Sequence, residues 1–236
     1  MLSEIFKLFW KTVERKDARR INSQTPPTEI EQFCDIQYID DGLWQHRLDV
    51  YSKSGKLSHR PVIIDIHGGG WMYGTKEINK NYCLVLAQND YVVVNINYRL
   101  APDFSVADQL RDCFFAFKWV STNIEKYGGD LNNVFVTGDS AGGFLAAYSA
   151  LLNSSDKLRK VFGVTESGLE FRACGLTSPV CFMNTHTFQD VYYSRVKGKE
   201  FSESTLRGFE NFDAVLNKGS MPVSYTHLTL PTTERV

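Results

Sequence analysis

The sequence has no excess of either charge and no long apolar run. Its 236 residues include 26 lysines and arginines and 27 aspartates and glutamates, which gives a formal net charge of −1. Because there is no net positive field to attract a phosphate backbone, nucleic acid is not an expected partner. No stretch approaches the roughly 20 apolar residues that span a bilayer, so no transmembrane helix is expected.

Cysteine is also sparse, and no pair of cysteines has the spacing of a metal or redox motif. Three of the five lie in apolar runs. A domain of this size does not depend on a disulfide framework for its stability. We therefore expect buried free thiols in a cytoplasmic protein, with no metal and no cofactor. The five cysteines are Cys34, Cys83, Cys113, Cys174 and Cys181.

The first 25 residues favour an amphipathic helix over a targeting signal. Glu4, Lys7 and Lys11 interrupt the apolar positions, so there is no uninterrupted apolar segment followed by a cleavage site. The apolar residues instead recur at helical spacing. We expect this cap-like helix to pack on the protein's own surface or over its active site, and the alternative is that it lies on a membrane surface. Its apolar residues are Leu2, Ile5, Phe6, Phe9, Trp10 and Val13.

Residues 26–180 alternate between strand and helix patterns. Continuous β-branched runs such as VIIDI (62–66) and YVVVNI (91–96) are typical of strands that are covered on both faces. Alternating strands and helices predict an α/β fold with a mostly parallel sheet flanked by helices. Buried strands are predicted at 62–66, 91–96, 133–138 and 172–180, half-exposed strands at 35–40 and 46–51, and helices at 77–89, 106–127 and 144–152.

The segment GDSAGG (138–143) is a candidate nucleophile motif. It fits the pattern G-x-S-x-G and lies between a predicted buried strand and a predicted helix, which is the context of a nucleophile elbow. The sharp turn requires small flanking residues and a strained backbone at the serine. Ser140 is therefore the candidate nucleophile, and the amide of Ala141 at the helix start can donate to an oxyanion.

A second motif, HGGGW (67–71), directly follows the predicted strand VIIDI. Its three glycines leave backbone amides that a carbonyl oxygen can approach closely, as in an oxyanion hole. The alternative is a phosphate-binding glycine loop. The sequence HGGGWMYG has neither the GxGxxG spacing nor the GK[ST] ending of such loops, which counts against that alternative.

Together with NYRLAP (97–102) and YGGD (127–130), these motifs resemble the hormone-sensitive-lipase-like carboxylesterases of the α/β-hydrolase fold, from about residue 49 to residue 179. The resemblance implies hydrolysis of short-chain acyl or aryl esters through an acyl-serine intermediate. It implies an oxyanion hole from Gly69, Gly70 and Ala141, and a structural role for His67. It also implies that Trp71 and Tyr73 line the acyl pocket, although packing alone explains both equally well. Gly68 and Asp139 are expected to be further structural or pocket residues, and Arg99 and Asp112 are expected to pair beneath the site.

The histidine that would activate Ser140 is not evident. In this fold the catalytic acid and then the histidine follow the serine. His186 comes before any further strand that could carry the acid. His227 lies in VSYTHLTLPT, which resembles the read-through of a sequencing adapter. Residues 181–222 are expected to be a partial cap-like helical insertion, in which Asp190 and Asp213 are poor candidates for the acid, and residues 223–236 an artefactual tail.

The sequence therefore predicts an esterase whose triad acid and base are absent from these 236 residues, and which is inactive in this form. Two alternatives stay open: a serine peptidase of the same fold, and a non-catalytic receptor that keeps the pocket. The sequence has no propeller-like repeats ahead of the hydrolase segment, which counts against the peptidase. The acyl-chain length, the alcohol half of the ester and the oligomeric state are not determined by the sequence.

Overall fold

A computed structural model describes residues 2–55 and 58–180, and their side chains from residue 8 onwards. The predicted insertion at 181–222, the predicted tail at 223–236, and the residues Cys181, His186, Asp190, Asp213 and His227 lie outside the described residues. None of the described helices is both long enough and apolar enough to cross a membrane.

The described residues form an α/β fold around a six-stranded sheet with the strand order β1-β2-β4-β3-β5-β6. Strands β4, β3, β5 and β6 run parallel, whereas β1 and β2 are antiparallel to each other and β2 is antiparallel to β4. The mostly parallel sheet predicted from the continuous apolar runs is confirmed. The strands are β1 (Ile30–Gln37), β2 (Arg47–Lys53), β3 (Arg60–Ile66), β4 (Val92–Ile96), β5 (Gly129–Asp139) and β6 (Phe171–Thr177).

Helices pack on both faces of this sheet, as the sequence predicts. The helix predicted at 106–127 ends in a short 3-10 turn, and Gly128 then adopts the left-handed conformation, with φ of 84°. Ser105 and Asp108 form a capping box that fixes its first turn. The helices are α1 (Leu2–Asn22), α2 (Lys80–Gln88), α3 (Val106–Asn123), α4 (Ser140–Asn153) and α5 (Asp156–Phe162), and a 3-10 turn covers Lys76–Ile78.

Two half-exposed strands were predicted near the N-terminus. The predicted exposure is wrong for β2, and the predicted position is wrong for β1. Five consecutive residues of β2 are buried, because the strand lies inside the sheet between β1 and β4. Strand β1 begins five residues earlier than predicted and contains a bulge, where Asp35 has φ of 57°. Cys34 on this edge strand is exposed, so the expectation of a buried thiol is wrong there, whereas Cys83, Cys113 and Cys174 are buried.

Arg99 and Asp112 form the expected ion pair. The guanidinium of Arg99 donates to Asp112 at 2.6 Å, and its backbone amide donates to the same carboxylate at 2.9 Å. Asp112 also contacts His46, whose Nε2 is 3.2 Å from Asp112 Oδ1. The Nδ1 of His46 is 2.7 Å from Asp41 Oδ2. Burial alone would lower the pKa of His46, but the two carboxylates outweigh this effect and raise it.

We expect the His46 contacts to make stability depend on pH. Because the pKa of His46 is higher in the folded protein, its contribution is fully present below its ordinary pKa of about 6.5 and is lost as the pH rises through the folded value. The free energy of unfolding of the wild type should therefore decrease, relative to that of His46→Gln, as the pH is raised from about 6 to about 8. Urea unfolding of both proteins at several pH values measures this, and a constant difference would contradict it.

Candidate active site

Ser140 lies at a sharp turn between β5, which ends at Asp139, and α4, which begins at Ser140. The backbone of Ser140 has φ of 50°, the strained conformation that the elbow prediction requires. The turn depends on a close approach of α4 to β3, since a Cβ atom added to Gly142 would lie 1.9 Å from the carbonyl oxygen of Ile66. The serine hydroxyl is thereby presented at the carboxyl end of the parallel strands.

The glycine loop that follows β3 faces the same space. Gly69 and Gly70 have φ of 113° and 57°, which favour glycine, and a Cβ on Gly69 would lie 2.0 Å from the carbonyl oxygen of Tyr73. The amides of Met72 and Tyr73 donate to the carbonyl of Gly69 at 3.2 and 3.0 Å and close the loop. This loop and Ser140 line one cavity of about 320 Å³. Its lining comprises Trp10, Val13, Asp17, Arg20, Gly68, Gly69, Gly70, Tyr73, Ile78, Asn79, Asp139 and Ser140.

His67 is part of the scaffold beneath this loop. Its ring is buried and stacks on Tyr98 with a centroid distance of 4.3 Å, and the Tyr98 hydroxyl donates to the carbonyl of His67 at 2.8 Å. Burial lowers the pKa of His67 to about 4, so the ring is neutral at pH 7 and its Nδ1 donates to the Gly68 carbonyl at 2.7 Å. The structural role implied by the resemblance therefore fits the position of His67.

Asp139 joins the nucleophile turn to the glycine loop. Its Oδ1 accepts a hydrogen bond from the amide of Gly68 at 2.9 Å and another from the side-chain amide of Asn79, also at 2.9 Å. Gly68 has no room for a side chain, because an added Cβ would lie 2.3 Å from Asp139 Oδ2. Asp139, the residue before Ser140, thus holds the glycine loop in place opposite Ser140.

The N-terminal helix α1 lies along one side of the cavity. The indole of Trp10 stacks on the ring of Tyr73, with centroids 5.6 Å apart and planes at 15°. Arg20 donates to the carbonyl of Ile78 at 3.4 Å. Burial and the nearby carboxylate of Asp17 raise the pKa of Tyr73 to about 12, so its hydroxyl stays protonated.

Trp71 and Tyr73, which were both candidates for the pocket, lie in different places. Trp71 is 1% exposed and packs edge-to-face against Phe144 at 5.3 Å. Its carbonyl accepts hydrogen bonds from the Ala101 amide at 2.8 Å and from Gln109 Nε2 at 2.9 Å. The packing alternative therefore holds for Trp71, whereas Tyr73 lines the cavity.

None of the described histidines is placed to activate Ser140. His67 is buried beneath the loop, and His46 is held by Asp41 and Asp112. His59 directly precedes β3 and so lies at the strand end opposite to the glycine loop. Within residues 2–55 and 58–180, the cavity lining includes no histidine.

Packing of α1 over the site was one expectation from the sequence, with Trp10 among its apolar residues, but the polar residues Asp17, Arg20 and Asn79 at the cavity were not predicted. Trp10, Asp17 and Arg20 are separated from the glycine loop by about 50 residues, and only the folded chain brings them together. Asn79 belongs to no recognisable motif. Asp65 could have been found, because a carboxylate inside the apolar run VIIDI is an unusual residue for a buried strand.

The sheet order, the serine at the strand-to-helix turn and the adjoining glycine loop define the α/β-hydrolase fold. The family model BD-FAE matches residues 48–226. The chain belongs to the BD-FAE family.

Relatives and solved structures agree with this assignment. The chain is 34% identical over 145 residues to carboxylesterase NlhH of Mycobacterium tuberculosis, covering 59% of this chain and 45% of that protein. It is 29% identical over 170 residues to isoprenylcysteine alpha-carbonyl methylesterase ICME of Arabidopsis thaliana, covering 72% and 39%. The chain thus spans less than half the length of these two relatives.

Among solved structures, inhibited esterase B of Lactobacillus rhamnosis superposes with a TM-score of 0.78 at 31% identity, over 83% of this chain and 66% of that one. The metagenomic carboxylesterase EstE1 superposes with a TM-score of 0.59 at 27% identity, over 79% and 59%. Both likenesses cover more than three quarters of this chain.

Proposed function

We propose that the protein is a serine hydrolase of carboxylic esters and that Ser140 is its nucleophile. The observation that carries the proposal is the position of Ser140, at positive φ in a cavity shared with the glycine loop. Positive φ in a residue other than glycine is costly, and residues strained in this way cluster at active sites. Helix α4 begins at Ser140, so the positive end of its dipole faces the reacting centre.

In the proposed reaction, the Ser140 hydroxyl attacks the ester carbonyl and loses its proton to a histidine. The carbonyl oxygen becomes an oxyanion, which the backbone amides of Gly69, Gly70 and Ala141 stabilise. Each such donor contributes about 3–4 kcal/mol of transition-state stabilisation. The alcohol leaves with the proton, and water then hydrolyses the acyl-serine to release the acid. Neither metal nor cofactor has a step in this scheme.

We further propose that the substrates are short-chain acyl or aryl esters. The cavity is small, at about 320 Å³, and aromatic rings line it on the side of α1. Relatives named as carboxylesterases, and esterase B, which has been crystallised with a tributyrin phosphonate, support an ester as the substrate. A cytoplasmic location is part of the same proposal.

The 236-residue chain itself is proposed to be inactive towards esters. No described histidine lines the cavity, and the sequence order of the fold counts against His186 and His227. A longer gene product that includes an acid and a histidine after residue 222 should hydrolyse p-nitrophenyl acetate, whereas the 236-residue chain should not. A longer product that has an aliphatic residue in place of the histidine, and no hydrolysis, would favour the receptor alternative.

A further inference from the structure

A buried carboxyl group lies beneath the proposed site and has no role in the reaction described above. Asp65 is on β3, two residues before His67, and is 1% exposed. Its Oδ2 accepts a hydrogen bond from Asn79 Nδ2 at 3.0 Å. The same amide nitrogen donates to Asp139 Oδ1 at 2.9 Å. Asn79 thus joins two carboxyl groups, one buried in the sheet and one at the nucleophile turn.

The link continues from Asp139 to the glycine loop, because the oxygen that accepts from Asn79 also accepts from the amide of Gly68 at 2.9 Å. Asn79 itself directly precedes α2 and lines the cavity. A single side-chain amide therefore stands between the buried carboxyl of Asp65 and the carboxylate that fixes the loop.

We propose that Asn79 is a positioning residue of the hydrolase: its amide holds Asp139 against the Gly68 amide while Asp65 is protonated, and ionisation of Asp65 loosens the glycine loop. This inference rests on the proposed function, since the loop matters to the reaction only if it binds the oxyanion. Two adjacent carboxylates repel each other when both are ionised, and one shared amide cannot compensate two charges.

The groups around Asp65 determine the direction of the pH effect. Burial raises the pKa of Asp65 to about 7, the charge of Asp139 adds to the rise, and the hydrogen bond from Asn79 opposes it. Two groups on α2 face Asp65. The Cys83 thiol forms a hydrogen bond with Asp65, and the Tyr82 hydroxyl is close enough for the charge of Asp65 to raise its pKa. Burial raises the pKa of both groups, so both are neutral in the same pH range.

In the closed arrangement Asn79 holds Asp139 against the Gly68 amide, and the charge of Asp139 adds to the rise in the pKa of Asp65. In the open arrangement the glycine loop is loosened and Asp65 stays buried, but this repulsion is relieved. The closed arrangement is therefore most stable while Asp65 is protonated, and loses stability as the pH rises through about 7. The open population should increase by about threefold to tenfold in total as the pH is raised from about 5 to about 8, and should level off above that range, because only the repulsion by Asp139 is relieved on opening.

Hydrogen exchange measured by mass spectrometry on the 236-residue chain tests this without requiring turnover. After correction for the intrinsic exchange rate, the peptide covering residues 67–74 should lose protection with rising pH in the wild type. Asp65→Asn, which cannot ionise, should keep the protection independent of pH. Asn79→Ala should exchange at least about tenfold faster than the wild type in this peptide at pH 5, because a hydrogen bond to a charged group is lost.

Asn81→Ala is the matched control, because Asn81 lies in the first turn of α2, two residues after Asn79, but donates to the Ile21 carbonyl and to Gln24 instead. It should leave the exchange of residues 67–74 unchanged. The inference is overturned if Asn79→Ala exchanges like the wild type, or if Asp65→Asn retains the pH dependence of the wild type. An unreactive Ser140 in a longer chain, with the exchange as expected, would instead refute the proposed function.

Discussion

Ser140→Ala is expected to lower kcat/KM for p-nitrophenyl acetate by a factor of about 10⁴–10⁶ in a gene product that carries the acid and the histidine. The reason is that the acyl-serine route disappears and only the oxyanion amides and substrate binding remain. The fold should not change, since Ser140 is half-buried and its replacement removes a single oxygen atom. Steady-state hydrolysis, with circular dichroism to verify folding, measures both effects.

Two control comparisons test whether the loss of activity is specific to Ser140. Ser154→Ala changes an exposed serine at the end of the same helix and should keep full activity. In the 236-residue chain, the parent and Ser140→Ala should hydrolyse the ester equally slowly. A clear difference between those two proteins would mean that a histidine of this chain already activates Ser140, and the proposal of an inactive chain would then be wrong.

Gly142→Ala is expected to destabilise the protein by about 4 kcal/mol or more, a loss that is exceptional for a single methyl group. The new Cβ would lie 1.9 Å from the carbonyl oxygen of Ile66 and 2.5 Å from that of His67. Both atoms are backbone at the carboxyl end of β3, so no rotation of a side chain can relieve the overlap. The urea midpoint of unfolding, or the loss of soluble protein, measures the effect.

Gly143→Ala is the matched control in the same turn of α4. Its Cβ would meet the carbonyl oxygen of Gly138 and the Cβ of Pro179 at 3.0 Å, which small shifts can accommodate. We expect a loss within the range of about 1–3 kcal/mol that is usual for overpacking. If Gly142→Ala were no more damaging than Gly143→Ala, the close approach of α4 to β3 would not be what forms the elbow.

The sequence was sufficient to predict the elements that are determined locally. The β-branched runs of β3 and β4 give buried parallel strands, and the small residues around Ser140 give a turn with positive φ. Long-range neighbours were not predictable in the same way. Strand β2 alternates like a half-exposed strand, but it is buried because two other strands flank it.

The candidate site was likewise predictable only where its residues are close together in the sequence. Motifs identified Ser140 and the glycine loop, because their chemistry requires those residues at that spacing. Trp71 belongs to the same motif as the loop, yet its side chain is in the core, since the direction of a side chain after a tight turn depends on the local backbone. Asn79 and Trp10 reach the cavity only through the packing of α1 and α2.

The most direct test of the central claim, that Ser140 is the nucleophile of an ester hydrolase, is to identify the residue that a phosphonate ester modifies. A gene product with the acid and the histidine would be treated with a tributyrin-type phosphonate, digested and analysed by mass spectrometry. We predict one adduct, on the peptide that contains Ser140, and none in Ser140→Ala. An adduct on another residue, or hydrolysis that persists in Ser140→Ala, would contradict the claim.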